Sequence, residues 1–165
     1  MRIWIRSIVL GLAFLLSVLA LPNIAEASTA TFQVNQKSYT VDDHDYTMDA
    51  APYIKSGRLY VPIRYVALVC GLKAENIKYD KTTRVLTLVN DNGIETMLMV
   101  GAKRILINGI VSDTDAAPQM VKGRLYVPVR QIALAFQHKL YWDDKKKLLT
   151  IDIGNYLPEA LDDIE

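Results

Sequence analysis

Gly57-Arg58-Leu59-Tyr60-Val61-Pro62-Ile63-Arg64 recurs 66 residues later as Gly123-Arg124-Leu125-Tyr126-Val127-Pro128-Val129-Arg130. Asp49-Ala50-Ala51-Pro52 returns at the same offset as Asp115-Ala116-Ala117-Pro118, so what recurs is a structural unit and not one short word. In each copy a Gly-Arg turn leads into a brief apolar strand, and proline then stands where a helix begins. Its fixed φ is already helical, and its missing N–H has no intrahelical partner at that position. Behind the prolines, Ile63, Val66, Ala67 and Cys70 fall at i, i+3, i+4 and i+7, as do Val129, Ile132, Ala133 and Phe136, giving each helix one apolar stripe that leaves Leu68 off it. Gly71 supplies a left-handed stop for the first helix; Gln137 is a poorer one for the second.

Helices this short do not stand alone in water and must dock on a sheet. Pro52-Tyr53-Ile54 and Leu59-Tyr60-Val61 flank a glycine-containing turn, as do Gln119-Met120-Val121 and Leu125-Tyr126-Val127, and both read as hairpins. Downstream, Asn76 to Tyr79 with Val85 to Val89, and Lys139 to Trp142 with Leu148 to Ile153, read as a second hairpin in each unit. The expected fold is α+β: two pseudo-repeats of hairpin, helix and hairpin, spanning about residues 31–90 and 91–153, with an antiparallel sheet packed on short helices. No Pro/Gly/Ser-rich linker separates them, and half a domain of this size is marginal alone, so one shared core is expected.

Arg2 and Arg6 precede an apolar run from Ser7 to Leu21, and Ala25-Glu26-Ala27 follows, which reads as a signal peptide over residues 1–27. The chain carries 19 basic and 18 acidic residues, and this balance gives no basic stripe of the kind nucleic acids require. Cys70, the single cysteine, lies on the helix stripe and is expected to be a small buried hydrophobe. Residues 154–165 form an acidic tail.

Ser28 to Ala30 is expected to be a loose start before a strand from Thr31 to Val34, with Asn35-Gln36-Lys37 as its turn. If that turn matches Asn108-Gly109, the stretch up to Asp49 is twice as long as the stretch up to Asp115, and the first copy holds an insertion. That segment contains Asp43, His44 and Asp45, the one cluster with metal-ligand chemistry, although neighbouring strand residues point to opposite faces and no zinc or EF-hand spacing is present. Arg64 and Arg130 sit in first helical turns, where the macrodipole disfavours a cation. Each is expected either to pair with Asp80 or Asp143 in the downstream hairpin or to meet a ligand.

The succession of hairpin, Gly-Arg-Leu-Tyr-Val-Pro, Arg64 or Arg130, helix, and then Tyr79-Asp80 or Trp142-Asp143 resembles the copper amine oxidase N-terminal-like family, also called the stalk domain. The resemblance implies a non-catalytic α+β module, secreted or held at a bacterial envelope, with no cofactor of its own. In the oxidases, copper is held by three histidines of a separate domain. This chain has only His44 and His138.

The residues left for function are surface groups. Arg64, Arg130, Tyr60, Tyr126 and Trp142 are the binding candidates, because guanidinium forks and amphipathic rings recognise sugars and protein surfaces alike. The expected function is non-catalytic binding or scaffolding, for a wall polysaccharide or an envelope protein. The alternatives are a secreted protein-interaction or inhibitor-like factor and, further off, an accessory of a copper-dependent oxidase. Nucleic acid is not an expected partner, and no stable membrane span is expected after cleavage.

Small side chains at Ala25 and Ala27 place the expected cleavage between Ala27 and Ser28. Mass spectrometry of the exported protein should find Ser28 at its N-terminus; a secreted species that retains Met1 to Ala27 would refute the assignment.

Overall fold

The computed structural model describes residues 28–154. The expected signal peptide over residues 1–27 and the expected acidic tail from residue 155 onward lie outside the described residues. Gly154 itself is not tail: it ends the last strand.

Among the described residues, fourteen strands and two short helices follow one another. The first three strands are β1 (Ser28–Gln33), β2 (Ser38–Val41) and β3 (His44–Thr47). A hairpin of β4 (Tyr53–Lys55) and β5 (Arg58–Pro62) then feeds α1 (Ile63–Val69), and a single 3₁₀ turn leads to the hairpin of β6 (Ile77–Asp80) and β7 (Val85–Val89). The series continues with β8 (Glu95–Met99), β9 (Arg104–Ile107), β10 (Ile110–Asp113), β11 (Gln119–Val121) and β12 (Arg124–Pro128). It ends with α2 (Val129–Ala135), β13 (Lys139–Asp143) and β14 (Leu148–Gly154). The protein is therefore mainly β, with antiparallel sheets and two short helices.

Three sheets form where one was expected. Their strand orders are β13-β14-β1-β2-β3, β10-β9-β8-β7-β6 and β11-β12-β5-β4. Each five-stranded sheet joins a hairpin from one half of the chain to a three-stranded meander from the other. In the four-stranded sheet β5 meets β12, with Val61 opposite Val127 and each of Pro62 and Pro128 opposite a tyrosine of the other strand. Proline donates no ladder hydrogen bond, so the same residue ends the strand and opens the helix.

The expected loose start is strand, because Ser28–Gln33 pairs along its length with β14. There is also no insertion in the first half. The two-residue turn Asp42–Asp43 joins β2 to β3 just as Asn108–Gly109 joins β9 to β10, and all four residues have positive φ, as a type I′ hairpin demands. Asn35 instead matches Gly101: their N–H groups donate to Pro52 and Pro118 carbonyls, each at 2.9 Å. His44 thus opens a strand in place of an inserted segment.

Both helices close with the same pair of bonds, from Gly71 and Leu72 to the carbonyls of Leu68 and Ala67, and from Gln137 and His138 to those of Leu134 and Ala133. Gln137 adopts the left-handed conformation (φ 64°) that Gly71 takes without steric cost (φ 85°). Val61, Val66, Val69, Leu86, Leu88, Val127, Ile132 and Ile151 belong to one buried cluster that draws on both halves and on all three sheets. Tyr60, Tyr126 and Ala116 form a second, smaller cluster, as expected if the strand pleat sends Tyr60 to the face opposite Val61.

The stripe on α1 is wider than the spacing implied. Every residue of α1 except Arg64 is buried, Leu68 included at 1% exposure, whereas Leu134 at the matching position of α2 is 65% exposed. Leu68→Asp should therefore unfold the protein, since a buried unpaired carboxylate costs several kcal/mol, while Leu134→Asp should change stability by no more than about 0.5 kcal/mol. Chemical denaturation of the two variants checks this; equal effects would mean that the two helices are buried alike.

Candidate functional site

Tyr60 and Tyr126, two of the five binding candidates, are interior residues, 3% and 6% exposed. Each hydroxyl crosses to the other half of the chain, Tyr60 donating to the Ala117 carbonyl and Tyr126 to that of Ala51, both at 3.2 Å. Tyr53 stacks on Tyr60 at 5.2 Å between ring centres and meets Tyr126 edge-on at 4.9 Å. Burial, then the neighbouring Tyr60 and Tyr126, push the Tyr53 phenol up to about 12. These rings are packed into the fold, Tyr60 and Tyr126 almost completely covered.

Arg64 and Arg130 are exposed, and among the described residues neither forms an ion pair; the expected pairing with Asp80 and Asp143 does not occur. Those aspartates cap their own hairpin turns. Asp80 Oδ1 accepts from the Thr82 and Thr83 N–H groups, the Thr82 bond at 2.7 Å being the main reason its carboxyl lies below the usual range. Asp143 Oδ1 accepts from Lys145 and Lys146. The arginines of the recurring Gly-Arg turns do pair, Arg58 with Asp115 and Arg124 with Asp49, both at 2.5 Å.

Arg130 and Trp142, by contrast, come together. They line a cleft of about 380 Å³ between the β4–β5 hairpin, the Pro128–Arg130 junction of β12 with α2, and the β13–β14 hairpin. Strand alternation turns Leu140 and Trp142 to one face of β13, and with Ile54, Leu59, Val129 and Leu149 they give the cleft an apolar lining. Trp142 is 42% exposed and Ile54 equally so. The indole Nε1 donates to Asp144 Oδ1 at 3.3 Å, and Lys147 Nζ reaches the same oxygen at 2.8 Å. The Lys147 bond, followed by that from Trp142, holds the Asp144 carboxyl below its ordinary range. Arg58 and Asp115 close the opposite wall as a pair, so Arg130 is the cleft's cation without a carboxylate partner. A ring fixed at its edge, an apolar lining and a free guanidinium suit a ligand with a flat apolar face and an acceptor group. Arg64 is not among the cleft residues.

The metal candidates do not converge. Asp43 lies in a tight turn, His44 Nδ1 sits 2.9 Å from the Asp42 carbonyl oxygen, and among the described residues no three His, Cys, Asp or Glu side chains are grouped to hold an ion. His138 has both ring nitrogens against carbonyl oxygens, those of Asp152 and Cys70. Cys70 is buried and unpaired, and burial pushes its thiol up to about 12, so it remains protonated at neutral pH.

Sequence reasoning missed Arg58, Asp115, Asp144 and Lys147. For the first two a signal existed: the Asp and Arg of the recurring words are conserved in spacing within the chain, but that each Arg pairs with the other half's Asp is set by the β5–β12 register.

The family model for the copper amine oxidase N-terminal domain matches residues 23–76 and 40–151. The chain belongs to this family. The family's domain is a stalk-type module, non-catalytic in itself. No curated protein and no solved structure matches the chain. Among the described residues of this family member, no helix is long and apolar enough to cross a membrane.

The division of aromatic rings into interior and cleft groups has a direct check. Tyr60→Ala should cost about 3–5 kcal/mol, the usual loss for a large buried ring, whereas Trp142→Ala should stay within about 1 kcal/mol. Denaturant midpoints at constant m-value measure both, and a larger loss at Trp142 would make it a packing residue.

Proposed function

We propose that the protein is a non-catalytic binding or scaffolding module that works outside the cytoplasm at a bacterial envelope, and that its cleft holds a glycan. The observation that carries this reading is the meeting of a half-exposed indole, an apolar lining and an arginine with no carboxylate partner in one cavity. Sugar rings stack on indoles through their apolar faces and offer hydroxyl or carboxylate acceptors at their edges. Export through a signal peptide over residues 1–27 places such a module where wall glycans are.

The same reading takes the chain as two copies of one unit that exchange sheets, one domain over about residues 28–153. The 66-residue offset between the β4–β5 and β11–β12 hairpins and the reciprocal pairs Arg58–Asp115 and Arg124–Asp49 support it. A second reading, a secreted protein-interaction or inhibitor-like factor, draws on the edge strand β10. There Ile110 and Val111 are 71% and 61% exposed and the outer backbone edge is open to strand addition.

Trp4 and Trp142 are the two tryptophans, so fluorescence reports the cleft when the Trp142→Phe variant serves as control. Titrating N-acetylglucosamine oligomers and wall-glycan fragments should shift emission in the wild type and not in that control, and Trp142→Ala should weaken binding by roughly 2–10-fold. An emission that no glycan moves, with only proteins recovered from an envelope pulldown, would favour the second reading.

A further inference from the structure

The cleft does not end at the Arg58–Asp115 pair. A second cavity of about 230 Å³ begins on its other side, and these two residues line both. Lys55 and Lys103 stand in this second cavity. Lys55 Nζ donates to Gln119 Oε1 at 2.9 Å, and among the described residues neither lysine has an ion-pair partner. Across both cavities the charged residues are Lys55, Arg58, Lys103, Arg130 and Lys147 against Asp115 and Asp144, five cations to two carboxylates. The whole chain balances almost to zero, so this excess is local.

Three of the five cations therefore have no anion of their own. Arg130 lies in the first cavity, Lys55 and Lys103 in the second, and the Arg58–Asp115 pair stands between them. Arg58 and Asp115 are about half exposed, with side-chain accessibilities of 41% and 48%, so the pair shared by the two cavities is itself open to solvent. An indole at one end and spaced cations beyond it match a polymer whose rings stack and whose acidic groups recur along its length.

From this geometry we infer that the two cavities form one track for an anionic polysaccharide, bearing either carboxylates or phosphodiesters. Trp142 takes a sugar ring, Arg130 the acidic group next to it, and Lys55 and Lys103 acidic groups further along. The inference rests on the glycan reading of the cleft and adds to it the charge and length of the ligand. A nucleic acid shares the repeating anion, but the track offers one exposed ring, Trp142, the Tyr60 ring of the second cavity being covered, where single strands need a stacking surface for successive bases.

The test compares four probes on the purified protein, read by Trp142 fluorescence and by calorimetry: a neutral β-1,4-glucan oligomer, a polyuronate, a glycerol-phosphate polymer and a single-stranded DNA of similar charge. An acidic glycan polymer should bind more tightly than the neutral oligomer, with an affinity that falls as salt rises. Uronate against glycerol phosphate then tells which acid is taken. Each exposed charge contact is worth a factor of roughly 1.5–5, so Lys55→Gln, Lys103→Gln and Arg130→Gln together should weaken the acidic polymer by roughly 3–100-fold. The neutral oligomer should be unaffected by Lys103→Gln, and the thermal midpoint of each variant shows that it folds. Equal binding of neutral and acidic glycans, unchanged by these substitutions, would overturn the track and leave the cleft as a neutral glycan site. Binding of no glycan at all would overturn both, and DNA binding as tightly as the acidic glycans would overturn the assignment of the polymer.

Discussion

Three residue pairs between β5 and β12 hold the two halves of the chain in register: Tyr126 with Pro62, Val127 with Val61, and Pro128 with Tyr60. The ladder cannot extend past the prolines, which lack the donor, and it cannot slip by one residue without turning Val61 and Val127, both fully buried, out of the core. The strand pairing also fixes where Arg58 and Arg124 emerge, which is why each finds the aspartate of the opposite half. Exposed as they are, those ion pairs contribute at most about 1 kcal/mol each and follow from the register more than they enforce it.

The cleft depends on the same register. Its walls come from the β4–β5 hairpin on one side and the β12–α2 junction with β13–β14 on the other, segments more than 60 residues apart in sequence. Packing them through a fully buried seam gives the cleft rigid walls, and rigidity limits the entropy a bound ligand would have to overcome. The site combines this fixed frame with two side chains at its rim, Arg130 and Trp142, whose exposure leaves them free to meet another molecule.

Much of the local structure could be read from the sequence because it is written in local chemistry. Proline at the helix start, glycine in the turns and apolar periodicity located the helices and eight of the strands to within a residue or two. The β2–β3 hairpin was missed because Asp42–Asp43 takes the type I′ turn without glycine, and its match with Asn108–Gly109 was hidden by aligning the wrong turn. Burial was less legible. Leu68 and Leu134 occupy the same place on two similar helices, yet one is covered and the other open, and Tyr60 and Trp142 look equally suited to a surface until their partners are known. Of the five binding candidates two meet in the cleft, since exposure and convergence are set by contacts between distant segments that no local pattern encodes.

In the sheet β10-β9-β8-β7-β6, the central strands β7 and β8 are joined by the short turn at Asn90–Gly93 and pair from Val85 with Met99 to Val89 with Glu95. In the other five-stranded sheet β14 and β1 stand in the same relation, and Gly154 lies opposite Ser28. Ser28 and Gly154, the first and last described residues, thus lie side by side, where the other sheet has the covalent turn at Asn90–Gly93. Residues 28–154 alone, joined from Gly154 to Ser28 and opened at Asn92–Gly93, would keep in one chain the residues of every strand pair, both helices and the cleft.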